Sequence, residues 1–559
     1  MFKAELHRTL EEIVAELGST ASFAVDYPPK DAAGFADYAT SAALAAAKDL
    51  GKKPLEVAEA IVTKLDERAL PFISEVSVAG PGFINITLAP EVFTETIARA
   101  LSDGGDWGKN VTREGSRIIV EYSQPNPFKP FHIGHLMSTT IGESLSRLIE
   151  YSGATISRFN YHGDIGPHVA KALWGLKKHN LSASNIDDIG RAYVLGNTAY
   201  EDDPALKGEI DAINKRLYTG DAELAPLYEE GRAVSLARFA EIYELLGSTF
   251  DHVVFESETG PIGAEIVKEA MAKGIFEESD GATVFRGEKY GLHTRVFITS
   301  HGTPTYEAKE IGFAKRKHEL FPFDQNITDV AVEQDEYFKV VAKAIDELWP
   351  KYRGSYGHVT HGMMQLSGGK MSSRKGNVIT GESLIEDVME AARERMKESD
   401  VENPQNIAKA VAVAGIKYAI LKQHLGKNIV FDPEKSLSLE GDSGPYLQYA
   451  YVRTASILRK AKEAGVASDA HGQHGTPTSL ERLLSRFPEI VERAAQELEP
   501  HHVAQYLTTL SSEFNSWYAS TKVLDGTSAA SYKLAIVEAV GQTLKNGLWL
   551  LGIESPQEM

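Results

Sequence analysis

The fold is decided by residues 117–135, which open with Arg117-Ile118-Ile119-Val120-Glu121-Tyr122 and close with Phe131-His132-Ile133-Gly134-His135. The first run is rich in β-branched residues, which is typical of a buried parallel strand. Three prolines between the two runs exclude regular structure there. Apolar residues at helical spacing then continue up to a glycine at position 153. The sequence therefore predicts a strand over 117–122, a loop, and a helix over 135–151.

His132 and His135 lie at the predicted start of this helix. Free backbone N–H groups and the positive end of the helix dipole meet there, which favours an anionic ligand. Both imidazoles can donate hydrogen bonds to phosphate oxygens, and Gly134 allows a flat adenine ring to approach the backbone. A metal pair is an alternative, but no cysteine or carboxylate accompanies the histidines at zinc spacing, so we predict no metal site. The other alternative is a structural role for both rings.

A second segment, far downstream, is glycine-rich and then basic. It reads Ser367-Gly368-Gly369-Lys370-Met371-Ser372-Ser373-Arg374-Lys375-Gly376. Its cations, placed over a triphosphate, would stabilise the negative charge of a phosphoryl-transfer transition state. Taken alone, the segment is also compatible with a solvated loop of scattered charge. The sequence contains no Walker-type loop, so we do not predict a P-loop NTPase.

These two segments resemble the HIGH and KMSKS hallmarks of the class I aminoacyl-tRNA synthetases. The first is identical at residues 132–135, whereas in the second Ser373 and Arg374 replace the usual Lys-Ser. Flanking motifs resemble the arginyl-tRNA synthetase version, at residues 121–126, 129–132, 160–166, 444–450 and 551–553. The resemblance covers nearly the whole chain, and its separated motifs occur in the family's order.

The resemblance implies an arginine–tRNA ligase. Such an enzyme activates arginine with ATP, accompanied by Mg²⁺, to arginyl-adenylate, and transfers it to the 2′-OH of the 3′-terminal ribose of tRNA(Arg). Three alternatives stay open at this stage. They are a class I synthetase for another amino acid, a small-molecule adenylyltransferase of the same fold, and a non-catalytic tRNA-binding relative.

The resemblance also assigns roles to individual residues. Catalysis falls to Lys129, His132, His135, Lys370 and Lys375, and ATP binding to His132, Gly134, His135, Met371, Ser372 and Arg374. Arginine binding falls to Glu121, Asn126, Tyr306, Glu310 and Gln334. Binding of tRNA falls to Tyr446 and Trp517, whose alternative is a place in the helical core. A guanidinium is a planar fork of five donors, so a set of carboxylates and carbonyls suits it.

One position in the arginine set and one close to it in sequence depart from the family. The family usually has Asp where Glu310 stands and Ser where Gln124 stands. Tyr306 and Glu310 are four residues apart on a predicted helix and therefore share a face. The alternative for Glu310 is a solvated charge beside Lys309, and the alternative for Gln334 is a capping or surface amide.

Composition narrows the class of protein. The chain has 559 residues, of which 43% are apolar, enough for about three or four globular domains. The net charge of −20 argues against a generally basic nucleic-acid coat, although local basic patches can still bind tRNA. The absence of cysteine excludes disulfides and suits a reducing compartment. The sequence has no membrane-length apolar run and no targeting peptide, so we expect a cytoplasmic protein without membrane contact. A monomer is a separate expectation that these features do not decide.

The predicted organisation has three domains. Residues 1–113 form an added α/β domain, which in the resembled family contacts the outer corner of the tRNA. Residues 114–385 form a Rossmann-type catalytic domain with a parallel sheet and a polar, helix-like insertion at 187–255. Residues 386–559 show almost only helical periodicity, and in the resembled family they form the anticodon-binding region.

Overall fold

The computed structural model describes residues 2–28, 36–367, 380–397 and 401–559. By its internal contacts the chain forms two compact units. The first comprises Met1–Lys109, Tyr449–Arg493 and Gln505–Gly547, and the second comprises Asn110–Gln448, Ala494–Ala504 and Leu548–Met559. None of the described helices is both long and apolar enough to cross a membrane.

The first unit begins with an antiparallel sheet covered by helices. Its elements are α1 (Phe2–Glu16), β1 (Val25–Asp26), β2 (Tyr38–Thr40), α2 (Ala42–Leu50), α3 (Pro54–Arg68), β3 (Ile73–Ala79), β4 (Phe83–Leu88) and α4 (Pro90–Asp103). The strand order is β1-β2-β4-β3. Strands β3 and β4 pair antiparallel across the turn at Gly80-Pro81-Gly82. Apolar residues of α1, α2, α3 and the sheet form one core.

The second unit carries the catalytic fold. In chain order its elements are β5 (Arg117–Glu121), α5 (Ile133–Tyr151), β6 (Thr155–His162), α6 (Pro167–His179), α7 (Ile186–Asp202), α8 (Pro204–Tyr218), α9 (Ala225–Leu246), β7 (His252–Phe255), α10 (Glu256–Met271), β8 (Glu277–Ser279), β9 (Ala282–Phe285), β10 (Arg295–Ile298), α11 (Tyr306–Leu320), β11 (Gln325–Ala331), α12 (Asp335–Leu348), β12 (Tyr356–His361), β13 (Met364–Leu366), α13 (Gly381–Arg395), α14 (Pro404–Leu421), β14 (Ile429–Phe431) and α15 (Pro433–Ser436).

The central sheet of this unit has the order β12-β11-β5-β6-β7, and every pair is parallel. The chain moves from β5 to β6 on one side and later returns to β11 on the other side of β5. The switch point of the sheet therefore lies between β5 and β11, and α/β sheets bind ligands beyond the carboxyl ends of the strands at such a point. This arrangement confirms the predicted Rossmann-type fold.

Two short strands correct the sequence prediction. The predicted insertion at 187–255 extends too far, because residues 252–255 form β7 and pair with β6. The region after 386, predicted as almost only helical, contains β14, which pairs with β13. These strands have four and three residues, so their sequence is too short to show a period and only the pairing defines them.

Four long helices occupy most of the described chain after residue 443. They are α16 (Gly444–Glu463), α17 (Ser479–Glu497), α18 (His501–Ser520) and α19 (Ala530–Leu550). Within the first unit, the hydroxyls of Tyr27 and Tyr38 donate to Glu489 of α17 at 2.6 and 2.7 Å. Trp107 donates to Thr543 of α19 at 3.0 Å. The N-terminal residues thus share a compact unit with parts of these helices, and the domain boundaries at 113 and 385 stay predictions.

Gly196 of α7 makes a close backbone contact with α6. A Cβ added there would lie 2.0 Å from the Lys171 carbonyl oxygen, whereas one added at Gly190 of the same helix would meet no atom within 4 Å. We expect Gly196→Ala to lower the free energy of unfolding by about 1–3 kcal/mol through overpacking. Gly190→Ala should raise it by about 0.5–1 kcal/mol. Thermal denaturation of both variants measures the difference, and equal melting temperatures would contradict it.

Candidate active site

The loop between β5 and α5 has an unusual backbone. Ser123, Gln124 and Phe128 have φ angles of 77°, 52° and 67°, a region that residues other than glycine seldom occupy. Hydrogen bonds hold all three: the Ser123 N–H donates to Ser138 Oγ at 3.0 Å, the Gln124 N–H to Asn160 Oδ1 at 3.2 Å, and the Phe128 N–H to Ser235 Oγ at 3.1 Å. Strained backbone of this kind persists where the surroundings enforce it, and it clusters at functional sites.

His132 and His135 bind each other across the first turn of α5. The His132 N–H donates to Nδ1 of His135 at 3.2 Å, and the His135 N–H donates to Nδ1 of His132 at 3.4 Å. The rings stack with their centroids 3.4 Å apart. Because each Nδ1 accepts a hydrogen bond, each neutral ring carries its proton on Nε2. The helix start therefore presents two Nε2–H donors.

Both rings are neutral near pH 7. Burial lowers the pKa of His135 well below its usual range, with neighbouring His132 adding to the effect. Burial among protein atoms and the ammonium of Lys129 lower the pKa of His132 to about 4, although part of this ring remains exposed. The histidines can thus act as hydrogen-bond donors but not as cations.

Lys129 is a cation close to this pair. Its ammonium lies 5.5 Å from the ring centroid of Tyr193. Burial lowers the pKa of Lys129, the nearby Lys171 lowers it further, and Glu256 opposes both effects. Lys129 also contributes to the low pKa of His132. The three-residue spacing between Lys129 and His132 therefore places positive charge near the histidine donors.

The second motif, with the predicted Lys370, Met371, Ser372, Arg374 and Lys375, lies outside the described residues. The residues that follow it contact the first motif. The Gly381 N–H donates to the Phe131 carbonyl at 2.8 Å, and Thr380 forms a β-bridge with His132. A Cβ at Gly381 would lie 2.9 Å from the His132 carbonyl oxygen, so the close approach requires glycine here.

Glu121 ends β5 at the switch point and is completely buried. Its Oε1 accepts a hydrogen bond from Gln124 at 2.8 Å, and its Oε2 accepts one from Thr328 of β11 at 3.1 Å. Lys317 of α11 forms an ion pair with the same Oε2. Gln124 stands at one of the two positions where the chain departs from the family. It therefore helps to fix the position of the Glu121 carboxylate.

Glu310 lies on α11, one turn after Tyr306, so the predicted helix is confirmed. Its carboxylate has no hydrogen bond or ion pair with a described residue. It lines a cavity of about 20 Å³, room for one water molecule. Burial raises the pKa of Glu310 well above its usual range, Glu121 raises it further, and Lys317 opposes them. Glu310 is half-buried, and its role as an arginine ligand stays a prediction.

The other three predicted arginine ligands have different surroundings. Asn126 Oδ1 accepts a hydrogen bond from the Gly163 N–H at 3.0 Å, directly beyond the end of β6. Tyr306 is the first residue of α11 and is 56% exposed. Gln334 is exposed before α12 and its side chain does not cap that helix, which leaves the surface amide as its alternative. The roles of all three stay predictions.

Several residues at this edge of the sheet were not identified from the sequence. Lys317 and Thr328 bind Glu121. The only feature of the sequence that could have indicated Lys317 is its spacing of seven residues from Glu310, and nothing in the sequence indicated Thr328. Asp164 is buried and accepts hydrogen bonds from the Ser257 N–H at 2.9 Å and the Ser257 hydroxyl at 2.7 Å. The sequence showed Asp164 as part of a motif but not that it anchors the start of α10.

A buried ion pair also lies beside Glu310. Lys309 and Glu256, the first residue of α10, are 2.5 Å apart, and their side chains are almost inaccessible. Lys309, which the sequence suggested as a surface neighbour of Glu310, is therefore buried.

The predicted tRNA ligands lie in different units. In the first unit, Trp517 is half-buried and stacks on the buried Phe514, with the centroids 6.4 Å apart. In the same unit, the guanidinium of Arg453 lies 4.8 Å from the Tyr449 ring centroid. In the second unit, Tyr446 is half-buried on α16. Half-exposed aromatic rings can stack on unpaired bases, but both tRNA assignments stay predictions.

The structure also bears on metal binding. In the described ranges, no group of three or more His, Asp or Glu side chains is arranged to hold a metal ion. The absence of a metal site in the whole protein therefore stays a prediction.

Known families match the chain along its length. The model described as tRNA synthetases class I (R), catalytic domain, matches residues 96–433. The DALR anticodon binding domain matches residues 447–559, and the arginyl tRNA synthetase N terminal domain matches residues 1–88. The parallel sheet and the histidine pair at the start of α5 thus belong to a class I synthetase catalytic domain.

Individual relatives agree with this class. The arginine–tRNA ligase of Clostridium perfringens is 30% identical, over 100% of this chain and 99% of its own. That of Lactococcus lactis is 32% identical over 92% of each. The solved arginyl-tRNA synthetase of Thermus thermophilus superposes with a TM-score of 0.82 at 27% identity, covering 100% of both chains. The chain belongs to the arginyl-tRNA synthetase family.

Proposed function

We propose that this chain ligates arginine to tRNA(Arg). The arginine carboxylate attacks the α-phosphate of ATP, which gives arginyl-adenylate and pyrophosphate. The 2′-OH of the terminal ribose of the tRNA then attacks the mixed anhydride. The observation that carries the proposal is the reciprocal histidine pair at the start of α5, in a chain whose Glu310 carboxylate has no hydrogen-bond or ion-pair partner among the described residues.

In this proposal the enzyme acts by positioning and charge stabilisation. The Nε2–H groups of His132 and His135 donate to phosphate oxygens of ATP, and the ammonium of Lys129 supplies charge that neutral imidazoles lack. Gly134 leaves room for the adenine. The predicted ATP contacts of the second motif belong to the same proposal, although they lie outside the described residues.

Arginine recognition in this proposal centres on Glu310. Its carboxylate has no hydrogen-bond or ion-pair partner among the described residues, so a guanidinium can form charge-assisted hydrogen bonds with it. Glu121, Asn126, Tyr306 and Gln334 complete the proposed set. Tyr446 and Trp517 are the proposed tRNA contacts.

The remaining assignments concern the metal and the oligomeric state. We propose that Mg²⁺ enters with ATP, held mainly by phosphate oxygens and water, as is usual for this ion. A cytoplasmic monomer remains the expected form.

An amino-acid panel tests the function. We expect arginine alone among the standard amino acids to support aminoacylation, since lysine brings a point charge that cannot satisfy a site built for a planar fork. Pyrophosphate exchange with and without tRNA(Arg) is measured in parallel, and the family resemblance predicts that exchange needs the tRNA. Strong charging with another amino acid would refute the assignment, and no charging at all would favour a non-catalytic tRNA-binding relative.

Arginine binding should also release a proton. In the empty pocket the raised pKa of Glu310 keeps part of its carboxyl protonated. A bound guanidinium favours the ionised form and lowers that pKa. Arginine affinity should therefore rise with pH until the pH exceeds the raised pKa of Glu310 in the free enzyme, and level off above it.

Calorimetry measures this proton release. Arginine is titrated at several pH values between about 5.5 and 8.5, in pairs of buffers with different ionisation enthalpies. The observed heat should depend on the buffer for the wild-type protein but not for Glu310→Gln, which cannot ionise. Heats that are independent of the buffer at every pH would show that Glu310 does not titrate on binding.

A further inference from the structure

The pocket assigned to the substrate guanidinium already contains a cation. Lys317 is 2% exposed, and its ammonium forms an ion pair with Oε2 of Glu121. The ammonium also lies 4.2 Å from the ring centroid of Phe313 and 5.7 Å from that of Tyr356. A buried charge is costly unless it is paired, so Lys317 and Glu121 depend on each other.

Glu310 differs from Glu121 in its partners. Glu121 binds Gln124, Thr328 and Lys317, whereas Glu310 has no hydrogen bond or ion pair with a described residue. Glu310 and Lys317 both lie on α11, two turns apart, and both line the same small cavity. Glu121 is therefore a satisfied carboxylate, whereas Glu310 is available to a ligand as far as the described residues are concerned.

The charged groups around Glu310 come from several elements. They are Glu121 of β5, Glu256 of α10, Glu307 and Lys317 of α11, and His358 of β12. The phenols of Tyr161 (β6), Tyr337 (α12) and Tyr356 (β12) also lie close enough to interact with it. Glu256 and Glu307 have cationic partners of their own, Lys309 and Arg295. Glu121 and Lys317 are thus the charged pair that sets the local balance at Glu310.

We propose that Lys317 is the resident counter-ion of the arginine pocket, which engages Glu121 and leaves Glu310 as the acid that receives the guanidinium. Lys317 is a positioning residue, because it acts on the substrate through these two carboxylates. With arginine bound, two carboxylates face two cations and the pocket is balanced. The inference rests on the proposed function. It adds Lys317 as the residue that limits the pocket to one further positive charge, that of the substrate guanidinium.

Lys317→Met tests the inference. This change removes the charge and keeps most of the side-chain length. Without the ammonium, the two carboxylates repel each other and hold a proton to higher pH. We expect the KM for arginine at pH 7.5 to rise at least about tenfold, with the KM for ATP changed less than about twofold. Arginine affinity, measured by calorimetry, should recover as the pH is raised toward 9.

Two matched variants control for general effects. Lys315→Met makes the same change at an exposed position of the same helix and should keep the wild-type KM for arginine. Lys317→Arg retains the charge and should stay within about threefold of wild type. A wild-type KM and pH profile for Lys317→Met would overturn the inference.

A second comparison covers the case in which Lys317→Met does not fold. Glu121→Gln leaves the Lys317 ammonium without its partner, and the ammonium should then turn to Glu310 and compete with arginine. Glu121→Gln/Lys317→Met leaves neither charge unpaired and should bind arginine at least about tenfold more tightly than the single variant. Equal affinities would overturn the inference. A wild-type chain that fails to charge arginine would instead refute the proposed function, so the two failures are distinct.

Discussion

Lys129→Ala is expected to lower the kcat of arginylation by about a hundredfold or more, the loss seen when a preorganised contact to transition-state charge is removed. The KM for arginine should change less than about threefold, because a contact that is strongest in the transition state affects mainly kcat. His132 and His135 are neutral and supply donors only. The positive charge that stabilises the transition state must therefore come from another residue. Lys129 lies close enough to His132 to lower the pKa of that histidine.

The position of Lys129 supports this expectation. It follows Phe128, whose backbone has a positive φ and whose N–H donates to Ser235. The Lys129 N–H donates to the Asn126 carbonyl at 3.2 Å. The ammonium is therefore presented by a loop that is held on both sides, which is what preorganisation requires.

Single-turnover and steady-state arginylation assays measure the effect. Lys177→Ala, an exposed lysine of α6 that pairs with Glu223, should leave kcat unchanged. Ser373→Lys in the Lys129→Ala background should restore part of the rate if the two positions share one role. Near-normal activity of Lys129→Ala together with an inactive Lys375→Ala would assign the role to Lys375. Both Ser373 and Lys375 lie outside the described residues.

Glu310→Gln should raise the KM for arginine about tenfold or more. A charge-assisted hydrogen bond contributes roughly 1.5–3 kcal/mol, and Gln retains the size of the side chain without its charge. The KM for ATP should change less than about twofold, because Glu310 is proposed to bind arginine and not ATP. Glu319→Gln, an exposed change on the same helix, is the matched control.

Two outcomes for Glu310→Gln would speak against this account. A similar rise in both KM values would indicate a folding defect, which a thermal melt would reveal. An unchanged KM for arginine would remove Glu310 from the proposed pocket and leave its enclosure by Glu121 and Lys317 as a structural feature.

Local patterns in the sequence predicted much of the catalytic fold. The strand expected over 117–122 is β5 (Arg117–Glu121), and the helix expected over 135–151 is α5 (Ile133–Tyr151). Both are long or strongly patterned enough for their periods to be recognised. Strands β7 and β14 were missed because three or four residues show no period, and each exists only through pairing with a distant strand.

In the candidate site, too, the sequence predicted some features and the structure alone revealed others. Family motifs identified His132 and His135, but the position of their protons follows only from the reciprocal backbone bonds at the start of α5. The motifs also identified Glu121 and Glu310 as a pair of acids with similar roles. The structure separates them, since Glu121 has three partners and Glu310 has none among the described residues.

The sequence by itself therefore determined the family, the order of strands and helices around the first motif, and the residues that are predicted to bind ATP and arginine. Motifs and periods are local, and they can be recognised without knowing which segments meet. Only the tertiary structure decided which of the two acids has partners within the described part of the chain. Lys317 and Thr328 stand 196 and 207 residues from Glu121 along the chain, and burial and ion pairing depend on neighbours in space.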